Sequence, residues 1–195
     1  MLLKLMNKLS NQTILIVCEF VSMVLMCIAW PTLQKTCITL LPARWIALQN
    51  VVVSVSGVVF AWMWKNEKFR QLSINGYLPI AVIEILFGTI LSFLMMFNFN
   101  VWVYAIGQLI CTSVISVYIG RMTNAFRAII FKDRERENYD NNIYLWSNAA
   151  AILGFFLSLL KPPPLNISLL LWGISWIFSI GWIIVYIKNK NIIKA

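Results

Sequence analysis

Six apolar blocks of roughly twenty residues follow one another in this chain, separated by short polar turns, and each is long enough to cross a bilayer as one helix. Lipid offers an exposed amide no partner, so a block of this kind has to close its hydrogen bonds within itself. The blocks lie at about 13–30, 45–64, 77–97, 101–120, 143–160 and 167–187. The sequence therefore predicts an all-α polytopic membrane protein with one six-helix transmembrane domain over 1–195. Composition agrees: 61% of the residues are apolar and 12% charged, where soluble domains average about a quarter charged. Little chain is left for a separate aqueous domain.

The one long run that water would solvate is Arg121 to Asn142, RMTNAFRAIIFKDRERENYDNN, which holds five of the 16 basic residues and four of the seven acidic ones. Its front, Met122 to Phe131, keeps apolar residues near helical spacing and is expected to extend the fourth span, with Phe126, Ile129 and Ile130 against lipid or a neighbouring helix. Only Lys132 to Asn142 is expected to be a loop. With this run on one side of the membrane, 13 of the Lys and Arg residues fall there, and only Lys35, Arg44 and Lys161 fall on the other. Such an excess in short loops predicts a protein of the cell membrane with both termini cytoplasmic. The formal charge of +9 is then an attraction to anionic membrane lipid and not to nucleic acid.

The connections follow from local chemistry. Lys4 and Lys8 precede the first span, but Trp30-Pro31 follows it where a cleavage site would be, so the span is expected to be uncleaved. Pro31 is expected to end that helix, leaving Thr32 to Ala43 as an amphipathic loop. Asn98-Phe99-Asn100 is so short that the third and fourth spans must be antiparallel neighbours, and Lys161-Pro162-Pro163-Pro164 cannot continue a helix. Trp30, Trp45, Trp62, Trp64, Trp102, Trp172 and Trp182 mostly fall near span ends, where interfacial aromatic belts lie.

No histidine occurs, and Cys18, Cys27, Cys37 and Cys111 form no CxxC or CxxxC pair. The usual zinc, haem and redox signatures are missing, as is His-based activation of a nucleophile, so no metal, cofactor or enzymatic activity is expected. Asp133, Glu135, Glu137 and Asp140 alternate with Lys132, Arg134 and Arg136, the pattern of a solvated helical segment and not of a magnesium site.

The spans are not uniformly apolar. Glu19 lies near the middle of the first, and Glu84 shares a stripe with Tyr77, Ala81 and Gly88 in the third. A carboxylate at bilayer depth costs about 2.5–3.5 kcal/mol on insertion scales, so it should face the bundle interior, be protonated or meet a partner. The functional expectation is a proton or cation pathway; the alternative is a polar group that fixes helix packing. Small or polar stripes recur as Asn50, Ser54, Gly57 and Ala61 in the second span, Tyr104, Gln108, Thr112 and Ser116 in the fourth, and Ser147, Ala151, Gly154 and Ser158 in the fifth. Close helix packing is the expected use of such stripes. Gln108 is the exception, because a large amide needs partners and can supply them to a ligand. Glu19, Glu84, Gln108 and Asn50 are thus the candidate substrate or proton-pathway residues.

Six spans, a long loop after the first, a basic turn between the second and third, and a minimal turn before the fourth resemble one half of a major facilitator superfamily transporter. The residues that carry the resemblance are Gly120-Arg121 at the end of the fourth span, the charged run FKDRERENYDNN, and a fifth span reading SNAAAILGFFLSLL with Gly154 at a small-residue position. The family's pattern GxxxD(R/K)xGR(R/K) between spans two and three keeps only its basic residues here, in Lys65-Asn66-Glu67-Lys68-Phe69-Arg70. The resemblance implies a half-size secondary transporter, with small-molecule or drug efflux favoured, that works as a homodimer or with a second six-helix half. Glu19, Glu84 and Gln108 of each copy would then face a shared cavity, and protonation of Glu19 or Glu84 would drive alternation. The competing expectation is a non-transporting accessory or immunity protein that binds a partner.

Overall fold

Ser10 opens the first helix, its side-chain oxygen accepting the Thr13 amide at 3.1 Å, and from there the chain is helical almost throughout. A computed structural model describes residues 10–131 and 133–194, and no strand occurs among them. The long elements are α1 (Asn11–Leu40), α2 (Ala43–Met63), α4 (Tyr77–Phe97) and α7 (Asp133–Leu160), with the short α3 (Glu67–Asn75) between α2 and α4. A fourth apolar block gives α5 (Val101–Ile110), a π-helical turn (Cys111–Ile115) and α6 (Ser116–Ile130), which run on without interruption. The last block is divided into α8 (Leu165–Ile177) and α9 (Ile180–Lys188), followed by α10 (Lys190–Lys194).

Five of these stretches are long and apolar enough to cross a membrane: α1, α2, α4, Arg134–Leu160 within α7, and Leu165–Lys188 across α8 and α9. In the rod that runs from Val101 to Ile130 the apolar helix proper is α5, ten residues long. The surface supports the same reading. Val51, Val55, Val58, Trp62, Phe156 and Leu159 all stand exposed, a distribution that water disfavours over so wide an area and lipid accepts.

Two expected loops are helical. Pro31 does not end α1, which continues to Leu40. Proline removes one amide donor, but packing compensates: Ala29 and Leu33 on either side are buried, and Thr32 donates its hydroxyl to the Pro163 carbonyl at 2.9 Å. The charged run is not a loop from Asp133 to Asn142 either, and Lys132 lies outside the described residues. α7 begins at Asp133, and Arg134 to Glu137 form its exposed first turns. Asp140 holds this start against α6 through Arg127 at 3.2 Å, while Tyr139 stacks on Phe131 with ring centroids 4.6 Å apart. Of the two surroundings expected for Phe126, lipid or a neighbouring helix, it has the second: it is 1% exposed and wedged between Tyr77 and Tyr186.

The remaining connections form as expected. Asn100 caps α5 by accepting the Trp102 and Val103 amides, and α4 and α5 are packed neighbours. α7 ends at Leu160, with Pro164 capping α8.

The centre of the bundle is α1 packed on α7 and α8, with α4 on the other flank of α8. At one end Asn11 donates to Asn189 at 3.3 Å, Tyr186 donates to the Ile74 carbonyl at 3.4 Å, and Ile14, Leu15, Phe131, Tyr139 and Val185 share a cluster. The start of α1 and the end of α9 therefore lie together, with the Lys65 to Arg70 turn and the α6–α7 junction at that same end. Lys35, Arg44 and Lys161 belong to the opposite end, where Leu33, Met95, Tyr104 and Leu169 cluster and Trp45 meets Trp102. Lys4 and Lys8 lie outside the described residues.

α2 differs from the rest. It packs on α6 and the π-turn, and none of its described residues is buried. Its small-residue stripe is not used for close approach: Gly57 has open space where a side chain would begin, and its carbonyl accepts Arg121 at 3.4 Å.

Candidate functional site

A cavity of about 690 Å³ lies between α1, α2, α5, α7 and α8, on the side of the bundle away from the start of α1 and the end of α9. Its size is that of a small-molecule site. α1 contributes Met23, Met26, Cys27, Trp30, Leu33, Gln34, Cys37 and Ile38; α2 contributes Gln49, Asn50 and Val53. Tyr104, Ala105, Gln108 and Thr112 come from α5 and the π-turn, Ala151 and Phe155 from α7, and Trp172 from α8. The cavity exists because α2 leans on α6 and makes no extensive contact with α1 or α7.

Two donors in this wall lack partners. Gln108 is 7% exposed and its Nε2 has no hydrogen-bond partner among the described residues. Trp172 is 4% exposed, and its Nε1 is likewise unpaired. The Thr112 hydroxyl donates to the Gln108 backbone carbonyl at 2.6 Å. Both N–H groups are enclosed by protein, and the same condition holds away from the cavity at Trp45 Nε1, Trp176 Nε1 and Arg127 Nε. Trp30 stacks on Trp172 at 5.5 Å between centroids with 26° between planes, giving the cavity a flat aromatic wall.

Glu84 is elsewhere. With Tyr77, Ala81 and Gly88 it forms the buried stripe of α4, itself 5% exposed, and its Oε1 accepts the Ser116 hydroxyl at 2.6 Å. Ser116 also reaches the Cys111 carbonyl at 2.9 Å. The π-turn brings this about: the Ser116 amide bonds five residues back to Cys111, and the extra residue in the turn swings the hydroxyl toward α4. Ser116→Ala leaves a buried carboxyl without its partner and is expected to cost about 1–2 kcal/mol, read as a lower melting temperature in detergent. A variant that melts with the wild type would show that Glu84 is satisfied in another way.

Glu19 occupies a second, water-sized pocket of about 40 Å³ with Leu15, Cys18, Ser22, Phe178, Ser179, Gly181 and Trp182. This pocket sits where the last rod is interrupted between α8 and α9, and Ser22 donates to the Ser175 carbonyl just before the interruption at 3.1 Å. Among the described residues Glu19 makes no hydrogen bond or ion pair.

Of the four residues singled out from sequence, the structure brings Gln108 and Asn50 together on the large cavity and sets Glu19 and Glu84 apart in two other places. Glu84 in particular is buried against the π-turn and does not face outward toward a second copy. Trp30, Trp172 and Tyr104 belong to the cavity wall although the first two lie near span ends and the third is on a stripe read as packing. Periodicity could not single them out, because the cavity is made by helices distant in sequence. No family model, no curated protein and no solved structure matches this chain.

Proposed function

We propose that this chain is a multi-pass protein of the cell membrane that binds a small molecule in the large cavity and carries it across, as one six-helix half of a transporter does. The observation that supports it is the cavity itself, of small-molecule size and walled by aromatic and aliphatic side chains with Gln34, Gln49, Asn50 and Gln108 among them. Two features of the rods favour movement around it: the π-turn beside Gln108 and the interruption between α8 and α9, both of which replace regular helix where a rod bends most easily. Glu19 lies at the second of these and is the group proposed to gate alternation by gaining or losing a proton. A second six-helix copy in the same orientation is the partner that would give the cavity a facing wall.

Cys37 on the cavity wall allows a test that needs no substrate. In a variant with Cys37 as its sole cysteine, a membrane-impermeant maleimide is applied to oriented vesicles from either side. Alternation is expected to expose Cys37 to both sides, and Glu19→Gln to restrict labelling to one. Labelling from one side only in the parent protein would rule out transport, and Glu19→Gln behaving as its parent would remove Glu19 from the gate.

A further inference from the structure

The large cavity has an open side. Around it α1 packs on α7 and α8, and α2 packs on α6 and the π-turn, but α2 makes no extensive contact with α1 or α7. The lining residues Ile38 of α1, Val53 of α2 and Phe155 of α7 are 53, 41 and 46% exposed, so the wall is incomplete between these three helices. In a membrane that slot faces lipid. We propose that the cavity is loaded sideways from the bilayer and takes one acyl chain of an anionic phospholipid, whose headgroup phosphate stays outside among Lys35, Arg44 and Lys161.

Length and polarity fit a chain. On α1 the lining runs from Met23 to Ile38, 15 positions apart, or about 22 Å of helix. One leaflet's half of a hydrocarbon core is about 15 Å, so a whole acyl chain has room. Among the described residues no Lys, Arg, Asp or Glu lines the cavity. Three of its four amides, Gln34, Gln49 and Asn50, lie toward the end where α1 stops and α2 starts, while Met23, Met26 and Ala151 lie deeper. That same end carries Lys35 on α1, Arg44 on α2 and Lys161 just after α7, one exposed cation for each helix that borders the slot. The seven acidic residues of the chain all lie elsewhere, so no carboxylate offsets these three charges. An anionic headgroup supplies the missing charge at the membrane surface.

The proposal rests on the small-molecule reading of the cavity and names its ligand, and the test tells the two apart. The protein in phosphatidylcholine nanodiscs receives either phosphatidylglycerol with a mid-chain diazirine or phosphatidylcholine with the same chain. After irradiation the adducts are located by mass spectrometry. The phosphatidylglycerol probe is expected to mark α1 between Met23 and Leu33, inside the cavity, and the phosphatidylcholine probe to mark outward residues such as Val58 and Leu159. Ala151→Trp, which fills the deep part, is expected to remove the cavity adducts and keep the outward ones. Arg44→Gln, at an exposed position, keeps the test open should Ala151→Trp misfold; it is expected to raise the half-saturating fraction of phosphatidylglycerol about fivefold. Adducts at outward residues alone, or equal cavity labelling by both probes, overturn the proposal. Loss of the cavity adducts in excess inorganic phosphate also overturns it, since the site would then be one for the free anion. If the proposal fails while Cys37 still labels from both sides of the membrane, the small-molecule reading stands; if Cys37 labels from one side only as well, both fail.

Discussion

Gly154→Val is expected to part α1 from α7 and destabilise the protein by about 3 kcal/mol, the upper end for an overpacked contact. A side chain at Gly154 would begin 2.7 Å from the Cys27 Cβ and 2.7 Å from the Val24 carbonyl oxygen. One of these atoms belongs to the backbone and the other is fixed to it, so no rotamer change relieves the clash; the helices must move apart. α1 on α7 is among the most extensive contacts of the bundle, and Ser158 one turn further on is buried in it. Thermal unfolding in detergent measures the loss, and the Cys27 thiol, buried in the intact protein, should become reactive to maleimide. Gly154→Ala is expected to show the same change at smaller size. Wild-type melting in Gly154→Val would refute this helix pairing.

Gly88→Ala is expected to act on both stability and the cavity. Its new methyl would lie 2.6 to 2.8 Å from three atoms of the Trp176 indole, a rigid ring with no flexible end to give way. Trp176 packs edge-on against Trp172 at 6.3 Å between centroids, and Trp172 in turn stacks on Trp30 across the cavity wall. A shifted Trp176 therefore disturbs the indole that carries one of the unpaired donors. The expected loss is about 2 kcal/mol in stability, with an altered near-UV circular dichroism spectrum and a changed rate of Cys37 labelling. A spectrum and labelling rate that both match the wild type would disconnect α4 from the cavity wall.

Both effects begin at glycines, and both glycines lie on helix faces that the sequence marks. Gly154 stands in the stripe of Ser147, Ala151 and Ser158, and Gly88 in that of Tyr77, Ala81 and Glu84, so the inward faces of α7 and α4 could be read from spacing of about 3.6 residues. The same rule applied to Asn50, Ser54, Gly57 and Ala61 predicts a packing face that α2 does not use, because a stripe says which side is small and not whether a neighbour arrives. At Pro31 the local preference of one residue lost to packing: the missing amide matters less than the burial of Ala29 and Leu33 and the bond from Thr32 to Pro163. At Asp133 the charges that suggest a loop instead form a helix start, tied to α6 by Asp140 and Arg127.

Apolar blocks, polar turns and the distribution of Lys and Arg determine from sequence alone that the chain is all-helical, where most helices lie, and which connections share an end. These are local quantities, set by hydrogen-bond closure in an apolar medium and by the chemistry of a few turn residues. Tertiary structure alone decided that Gln108 and Trp172, 64 positions apart, line one cavity, that Glu84 meets Ser116 through a π-turn, and that Glu19 sits at the interruption of the last rod. The physical reason is that a side chain's partner depends on which helices meet and at what rotation. That choice is made by close contacts such as Gly154 on Cys27 and Gly88 on Trp176, between residues that no local pattern connects.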